Sequence, residues 1–124
     1  MIRILIADDH AIVRAGLKQF ISDQPDMQVA GEAATGSEAI ALVRASEFDV
    51  VLLDISMPDK NGIDTLKTLR QIAPAMPVLM LSGYAEDQYA VNLLRAGAAG
   101  YLNKEAAARE LVGAIRTVVN GRKF

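Results

Sequence analysis

Short apolar runs alternate with segments of helical periodicity along the whole chain. Five runs rich in Val, Ile and Leu have the length and composition typical of strands covered on both faces of a parallel sheet. These runs are Ile2–Ala7, Val29–Ala33, Val50–Leu53, Val78–Leu81 and Gly100–Leu102. The stretch from Met27 to Glu32 is more polar than the others. We therefore expect the second strand to lie at an edge of the sheet.

Between these runs, apolar residues recur at the spacing of a helix. The five stripes are Val13, Leu17, Phe20 and Ile21; Ile40 and Val43; Ile63, Leu66, Leu69 and Ile72; Ala90, Leu93 and Leu94; and Leu111, Val112, Ile115, Val118 and Val119. Ser37 is a residue type that caps helices, and we expect it to cap the second one. Strands that alternate with helices predict one doubly wound α/β domain, with a parallel sheet and helices on both of its faces.

Composition excludes several classes of function. The 124 residues include no cysteine, which excludes disulfides, thiolate metal sites and a cysteine nucleophile. The N-terminal apolar run is too short for a signal peptide, and no run approaches the ~20 residues that span a bilayer. The net charge is −2 without a basic stripe, so neither nucleic acid nor membrane is an expected direct partner. We expect a cytoplasmic domain.

Polar residues with chemical potential follow the predicted strands. Asp8 and Asp9 follow the first strand, Asp54 the third and Ser82 the fourth, and Lys104 comes shortly after the fifth. In open parallel sheets, ligands bind beyond the carboxyl ends of the strands. Two carboxylates ~4 Å apart repel by roughly 4 kcal/mol at an effective dielectric of 20, so clustered acids require a cation. Oxygen ligands of this kind favour Mg²⁺, with Mn²⁺ as the alternative.

The same residues suit phosphoryl transfer. That reaction needs little more than positioning and charge neutralisation around the phosphoryl oxygens, and an aspartate can be the nucleophile that forms an aspartyl phosphate. Here Asp54 would be the nucleophile, Lys104 a fixed positive charge and Ser82 a hydroxyl donor.

Together these positions resemble the signature of response-regulator receiver domains of bacterial two-component systems. The resemblance spans the chain and consists of Asp8-Asp9, Asp54 followed by Met57-Pro58, Gly62, Ser82-Gly83, Tyr101 and Lys104. The stretch Asp8-Asp9-His10, followed by Val13–Leu17, further resembles the NarL/FixJ subfamily. The resemblance implies a flavodoxin-like (βα)5 fold with strand order 2-1-3-4-5.

The resemblance also implies roles for single residues. Asp54 would be the phosphoacceptor, and Lys104 would pair with the phosphoryl group. The metal would be bound directly by Asp9 and Asp54 and through water by Asp8. The backbone carbonyl of Ser56 would be a further ligand. An alternative for one member of the acidic pair is that it only caps the helix that follows.

Five positions have implied or weaker roles. Ser82 would be the switch hydroxyl, and Tyr101 the switch aromatic that turns inward when Ser82 moves to the phosphoryl group. Ser56 and Tyr84 would flank the path of the water that hydrolyses the acyl phosphate, and we expect the bulk of Tyr84 to slow this self-dephosphorylation. His10 is the only histidine, and we expect it to tune the site rather than to carry phosphate.

At the level of the protein, residues 1–124 would form a receiver that takes a phosphoryl group from a sensor histidine kinase. Its conformational shift would control an output domain that regulates transcription. The chain ends at Gly121–Phe124, where the family's linker would begin, so we expect a C-terminal helix-turn-helix domain in the parent protein that is absent here. We do not expect an enzyme: the receiver would catalyse only its own phosphorylation and dephosphorylation. A homodimer formed on phosphorylation is a further expected partner.

Three alternatives are weaker. A Mg²⁺-dependent phosphohydrolase of the haloacid-dehalogenase type also uses an aspartyl phosphate, but it needs a second acid where this chain has Ser56, and a cap insertion that is missing. A degenerate receiver used only for protein contacts is disfavoured because every acidic and basic position is filled. A flavodoxin-like binder would need a phosphate loop after the first strand, where Asp8-Asp9-His10 stands.

Overall fold

The computed structural model describes residues 1–59, 61–83 and 87–124. Its strands are β1 (Ile2–Ala7), β2 (Met27–Ala33), β3 (Val50–Asp54), β4 (Val78–Ser82) and β5 (Gly100–Asn103). Its helices are α1 (Ala11–Ser22), α2 (Gly36–Ala45), α3 (Gly62–Ile72), α4 (Asp87–Arg95) and α5 (Ala107–Val119), with a 3₁₀ turn at Lys104–Ala106. Within the described residues, no helix has both the length and the apolar character needed to cross a membrane.

The five strands form one parallel sheet in the order β2-β1-β3-β4-β5. This order confirms the expected topology and places β2 at an edge. β1 and β3 are hydrogen-bonded neighbours, with Ala7 opposite Leu53 at their carboxyl ends. The residues that follow these two strands therefore start from adjacent positions at the same end of the sheet.

The inner strands β3 and β4 bury both of their faces, as does β1 from Ile4 onward, which explains why their apolar runs are continuous rather than alternating. Successive residues enter opposite layers: Leu5 joins the layer under α2, α3 and α4, whereas Ile4 and Ile6 join the layer under α1 and α5. The first layer includes Leu66 and Leu69 of α3. The core thus consists of two layers, one on each face of the sheet.

The beginning of α2 differs from the sequence prediction. Its N-cap is Thr35, whose hydroxyl accepts a hydrogen bond from the Glu38 amide at 3.1 Å. The prediction that Ser37 caps this helix was wrong. Thr35 has the extended backbone that an N-cap requires, with φ −138° and ψ 161°, and Ser37 already lies in the first helical turn.

Candidate functional site

Two buried carboxylates lie side by side at the carboxyl end of the sheet. Asp54 ends β3 and is 2% exposed, and Asp8 directly follows β1 and is fully buried. They are neighbours because β1 pairs with β3. Asp9 comes next along the chain and lies at the exposed rim of the same site.

Lys104 bridges the two buried acids. The 3₁₀ turn after β5 places its Nζ atom 3.0 Å from Asp8 Oδ2 and 3.2 Å from Asp54 Oδ2. These two oxygens accept no hydrogen bond of standard geometry in the described structure, so the ammonium is their main partner there. The site thus holds two buried negative charges against one positive charge.

The pKa values of these groups follow from burial and charge. Burial raises the pKa of Asp54, repulsion from Asp8 adds to the rise, and attraction to Lys104 opposes it. Burial alone would lower the pKa of Lys104, but its contacts with Asp8 and Asp54 outweigh this effect and raise it. Lys104 therefore stays charged at neutral pH, whereas ionised Asp54 is held at an energetic cost.

The residues present fit a divalent cation. Ligand atoms from Asp8, Asp9, Asp54 and His10 lie within 4.8 Å of one another. The carboxylates exceed the single ammonium in charge, and in the described structure Asp8 Oδ2 and Asp54 Oδ2 have that shared ammonium as their main partner. A hard cation such as Mg²⁺ or Mn²⁺ would satisfy both conditions, since these ions prefer oxygen ligands.

His10 lies beside the acidic pair, as expected. Its Nδ1 atom is 3.3 Å from Asp8 Oδ1 and 3.0 Å from Asp9 Oδ1, and its amide donates to Asp8 Oδ1 at 2.8 Å. His10 is the N-cap position of α1 and makes no side-chain capping bond. Neither aspartate occupies this N-cap position, so the alternative in which one of them only caps α1 loses its support.

The loop between β3 and α3 forms the open side of the site. The Ser56 amide donates to Asp54 Oδ1 at 3.3 Å, and Ser56 pairs in antiparallel fashion with Asn61 across the loop. This loop, which includes Met57 and Asn61, lines a depression of about 670 Å³ together with Asp9. The site is therefore open on this side.

Gly62 closes the base of the same loop. Its amide donates to the Ile55 carbonyl at 2.7 Å. A Cβ atom at Gly62 would lie 2.6 Å from Ile55 Cα and 2.8 Å from Ile55 O, which are backbone atoms and cannot give way cheaply. Only glycine allows this close approach of the two backbone segments. The contact therefore explains physically why the receiver-like motif has a glycine at position 62.

The predicted switch residues are placed at neighbouring strands. Ser82 ends β4, is 1% exposed and is paired with Asn103 of β5. Tyr101 in β5 is partly buried and packs against the layer under α2, α3 and α4. Tyr84 lies outside the described residues. The switch and dephosphorylation roles of these residues stay predictions.

Two contacts at the site were not anticipated from the sequence. The Arg14 guanidinium of α1 donates to the Asp8 carbonyl oxygen and holds the backbone of the acidic pair. Asp59, in the loop after β3, accepts hydrogen bonds from the first turn of α2. Arg14 lies within the stretch that resembles the NarL/FixJ subfamily, and this resemblance could have drawn attention to it. No local sequence pattern pointed to the contacts of Asp59, because its partners lie more than twenty residues earlier.

Comparison with known proteins assigns the family. The family described as the response regulator receiver domain matches residues 4–116. This chain belongs to it. Response regulator UvrY of Escherichia coli (strain K12) is 38% identical over 124 residues, which are 100% of this chain and 57% of UvrY. The chain thus spans little more than half the length of this relative.

Two solved structures support the same assignment. A two-component response regulator of the LuxR family from Aurantimonas sp. SI85-9A1 has a TM-score of 0.93 and 36% identity, covering 98% of this chain and 86% of that chain. The isolated REC domain of RcsB from Salmonella enterica serovar Typhimurium, solved with the phosphomimetic BeF₃⁻, has a TM-score of 0.91 and 26% identity, covering 99% of this chain and 91% of that chain.

These relatives confirm the predicted subfamily, NarL/FixJ, and the predicted fold. Receiver domains of response regulators are not classical enzymes, which agrees with the expectation for this chain. The phosphohydrolase alternative finds no support. The position two residues after Asp54 holds Ser56, which cannot serve as the second acid.

Proposed function

We propose that this receiver domain accepts a phosphoryl group on Asp54 from a sensor histidine kinase in the presence of a divalent cation. The observation that carries the proposal is the convergence of Asp8 and Asp54 on the single ammonium of Lys104. This arrangement leaves an excess of negative charge for a metal and supplies a positive charge for a phosphoryl group.

In this reaction an Asp54 oxygen attacks phosphorus, a new P–O bond forms and the P–N bond to the kinase histidine breaks. The freed histidine nitrogen takes up a proton. The Lys104 ammonium would then pair with the phosphoryl oxygens instead of the Asp54 carboxylate. The Ser82 hydroxyl would donate a hydrogen bond to one of these oxygens. Asp9, Asp54 and the Ser56 carbonyl would hold Mg²⁺ or Mn²⁺ directly and Asp8 through water, and the cation would offset charge that builds on the phosphoryl oxygens.

The consequence would be a population shift rather than a new catalytic product. Movement of Ser82 toward the phosphoryl group would let Tyr101 turn inward and change the surface around α4, β5 and α5. An output domain of the parent protein, or a second copy of the receiver, would bind that altered surface. From the resemblance to the NarL/FixJ subfamily, we propose that the output is DNA-binding regulation of transcription, by a C-terminal helix-turn-helix domain in the cytoplasm.

The proposal also covers the loss of the phosphoryl group. Ser56 is exposed at the mouth of the site, where a hydrolytic water would pass. We expect Tyr84 to obstruct that water. Replacement of Tyr84 by alanine should then shorten the lifetime of the phosphorylated protein, and an unchanged lifetime would remove Tyr84 from this account.

The decisive experiment for the acceptor is intact-mass measurement after incubation with Mg²⁺ and a small phosphodonor such as acetyl phosphate. The native chain should gain the mass of one phosphate, and the Asp54→Asn variant should gain none. A chelator added beforehand should prevent the gain in the native chain. A phosphate retained in Asp54→Asn would transfer the acceptor role to another residue.

A further inference from the structure

The first turn of α2 is capped from two different parts of the chain. The hydroxyl of Thr35 accepts from the Glu38 amide at 3.1 Å, which is a local cap. The amides of Gly36 and Ser37 donate instead to Asp59, at 2.9 Å to Oδ1 and 3.0 Å to Oδ2. Both oxygens of one carboxylate are therefore used by a helix that begins 23 residues earlier in the sequence.

The charge state of Asp59 strengthens this contact. Hydrogen bonds from the Ser37 side chain and backbone, followed by the bond from Gly36, lower the pKa of Asp59 to about 2. Asp59 is consequently ionised at neutral pH, and a carboxylate near a helix N-terminus interacts favourably with the helix dipole.

Asp59 belongs to the loop that lines the open side of the site. The base of this loop is fixed, since Gly62 bonds to the Ile55 carbonyl and Ser56 pairs with Asn61. Asp59 lies in the loop between Ser56 and Asn61, so its hydrogen bonds to α2 fix the outer part of the loop. The loop thus has an anchor at its base and a second one on a neighbouring helix.

We propose that Asp59 is a positioning residue that holds the β3–α3 loop, and with it the backbone of Ser56, ready for the divalent cation. This inference rests on the proposed function, in which the Ser56 carbonyl is a metal ligand. Asp59 does not touch the cation. It acts through the loop, because an anchored loop is already ordered before the cation binds.

The expected effect follows from that ordering. Without Asp59, the outer loop samples more conformations in the metal-free state, and this freedom must be given up on binding. Ordering the backbone of about one residue is enough to weaken Mg²⁺ binding about tenfold. The acidic groups of the site itself would be unchanged.

Thr35 provides a matched control. Asp59→Ala and Thr35→Ala each remove a cap from the same turn of α2, but only Asp59 connects that turn to the loop. The dissociation constant of Mg²⁺ is measured by calorimetric titration, and backbone hydrogen exchange of residues 55–62 is measured in metal-free protein. Both variants should lower the urea midpoint of unfolding. Asp59→Ala alone should weaken Mg²⁺ about tenfold and speed exchange in the loop.

Asp59→Asn is the second variant, because an amide oxygen can still accept one of the two bonds, and it should give an intermediate loss of affinity. Native Mg²⁺ affinity and native loop exchange in Asp59→Ala would overturn the inference, as would equal losses in Thr35→Ala. If the native chain itself failed to bind Mg²⁺, that result would contradict the proposed function, which requires a divalent cation. Loop exchange in the metal-free variants would then still decide whether Asp59 anchors the loop.

Discussion

Removal of the Lys104 ammonium should expose the electrostatic cost of the site. Lys104→Met keeps a long side chain but leaves two buried carboxylates without their shared counter-charge. The ammonium lies 3.0 and 3.2 Å from the two carboxylate oxygens. At an effective dielectric of 20, each of these attractions amounts to about 5 kcal/mol, against which the dehydration of all three groups must be set.

Breaking a buried ion pair on one side typically costs 3–5 kcal/mol. Since the Lys104 side chain is 22% exposed, we expect a value near the lower end. Lys104→Met should reduce the free energy of unfolding of the metal-free protein by about 3 kcal/mol at pH 7.5. Lys104→Arg retains the charge and should lose much less, so it serves as the matched control.

The loss should depend on pH and on Asp54. Lys104 stabilises ionised Asp54, so this contribution is present while Asp54 is charged and is lost as the pH falls through the raised pKa of Asp54. At pH 4.5 the difference between the native chain and Lys104→Met should therefore shrink. A double-mutant cycle with Asp54→Asn should give a coupling energy of about 1–2 kcal/mol, within the range for residues in contact.

Urea unfolding followed by far-UV circular dichroism is the suitable assay, because the chain has no tryptophan. Chelator is present throughout, so that the cation cannot replace the lysine. A loss below about 0.5 kcal/mol, the usual range for surface substitutions, would refute the reasoning. A loss that is equally large at pH 4.5 would do the same, because it would point to packing rather than charge.

Three further predictions concern stability. Because the pKa of Asp54 is raised in the folded protein, the unfolded chain ionises first as the pH rises, and the free energy of unfolding falls over that range. Asp54→Asn should therefore raise the urea midpoint of unfolding of the metal-free protein at pH 7. Destabilisation would contradict this. Gly62→Ala should cost about 2 kcal/mol in thermal unfolding because of its clash with the Ile55 backbone. Gly113→Ala in α5, with open space around it, should be neutral or stabilising, and equal losses would argue against the clash. Asp59 has a folded pKa of about 2 against an ordinary 3.8, so its contribution is present above pH ~4 and lost toward pH 2. A carboxyl titration by NMR with a midpoint near 4 would contradict this cap.

The fold could be predicted because the helices cover both faces of the sheet. Residues such as Ile4 and Leu5 point to opposite layers and are both fully buried, so the stretch from Ile4 to Ala7 is continuously apolar. Runs of this kind differ plainly from helical stripes. The strand order was not contained in these patterns and came from the family resemblance.

The core of the site could also be predicted, because a parallel sheet brings the ends of its strands together. Asp8 and Lys104 each follow a strand and Asp54 ends one, and the structure brings their charged atoms into contact. The strand pattern did not predict the distances between these groups. It also did not predict that two buried acids share one ammonium. Those features depend on the turn that follows β5.

The missed contacts depend on tertiary proximity. No sequence pattern singled out Asp59, and we expected Ser37 to cap its own helix. In the structure the roles are exchanged: Asp59 caps α2 from a distance, and Ser37 is one of its donors. A local pattern cannot predict a cap whose donor and acceptor lie 22 residues apart.

The central claim is that carboxylates from separate strands gather around one divalent cation opposite Lys104. Its most direct test is a crystal structure of the chain grown or soaked with Mn²⁺, with anomalous scattering used to locate the ion. The account predicts one strong peak about 2.0–2.2 Å from oxygens of Asp9 and Asp54, near the range for hard cations bound by oxygen. No peak at saturating Mn²⁺, or a peak away from both aspartates, would contradict it.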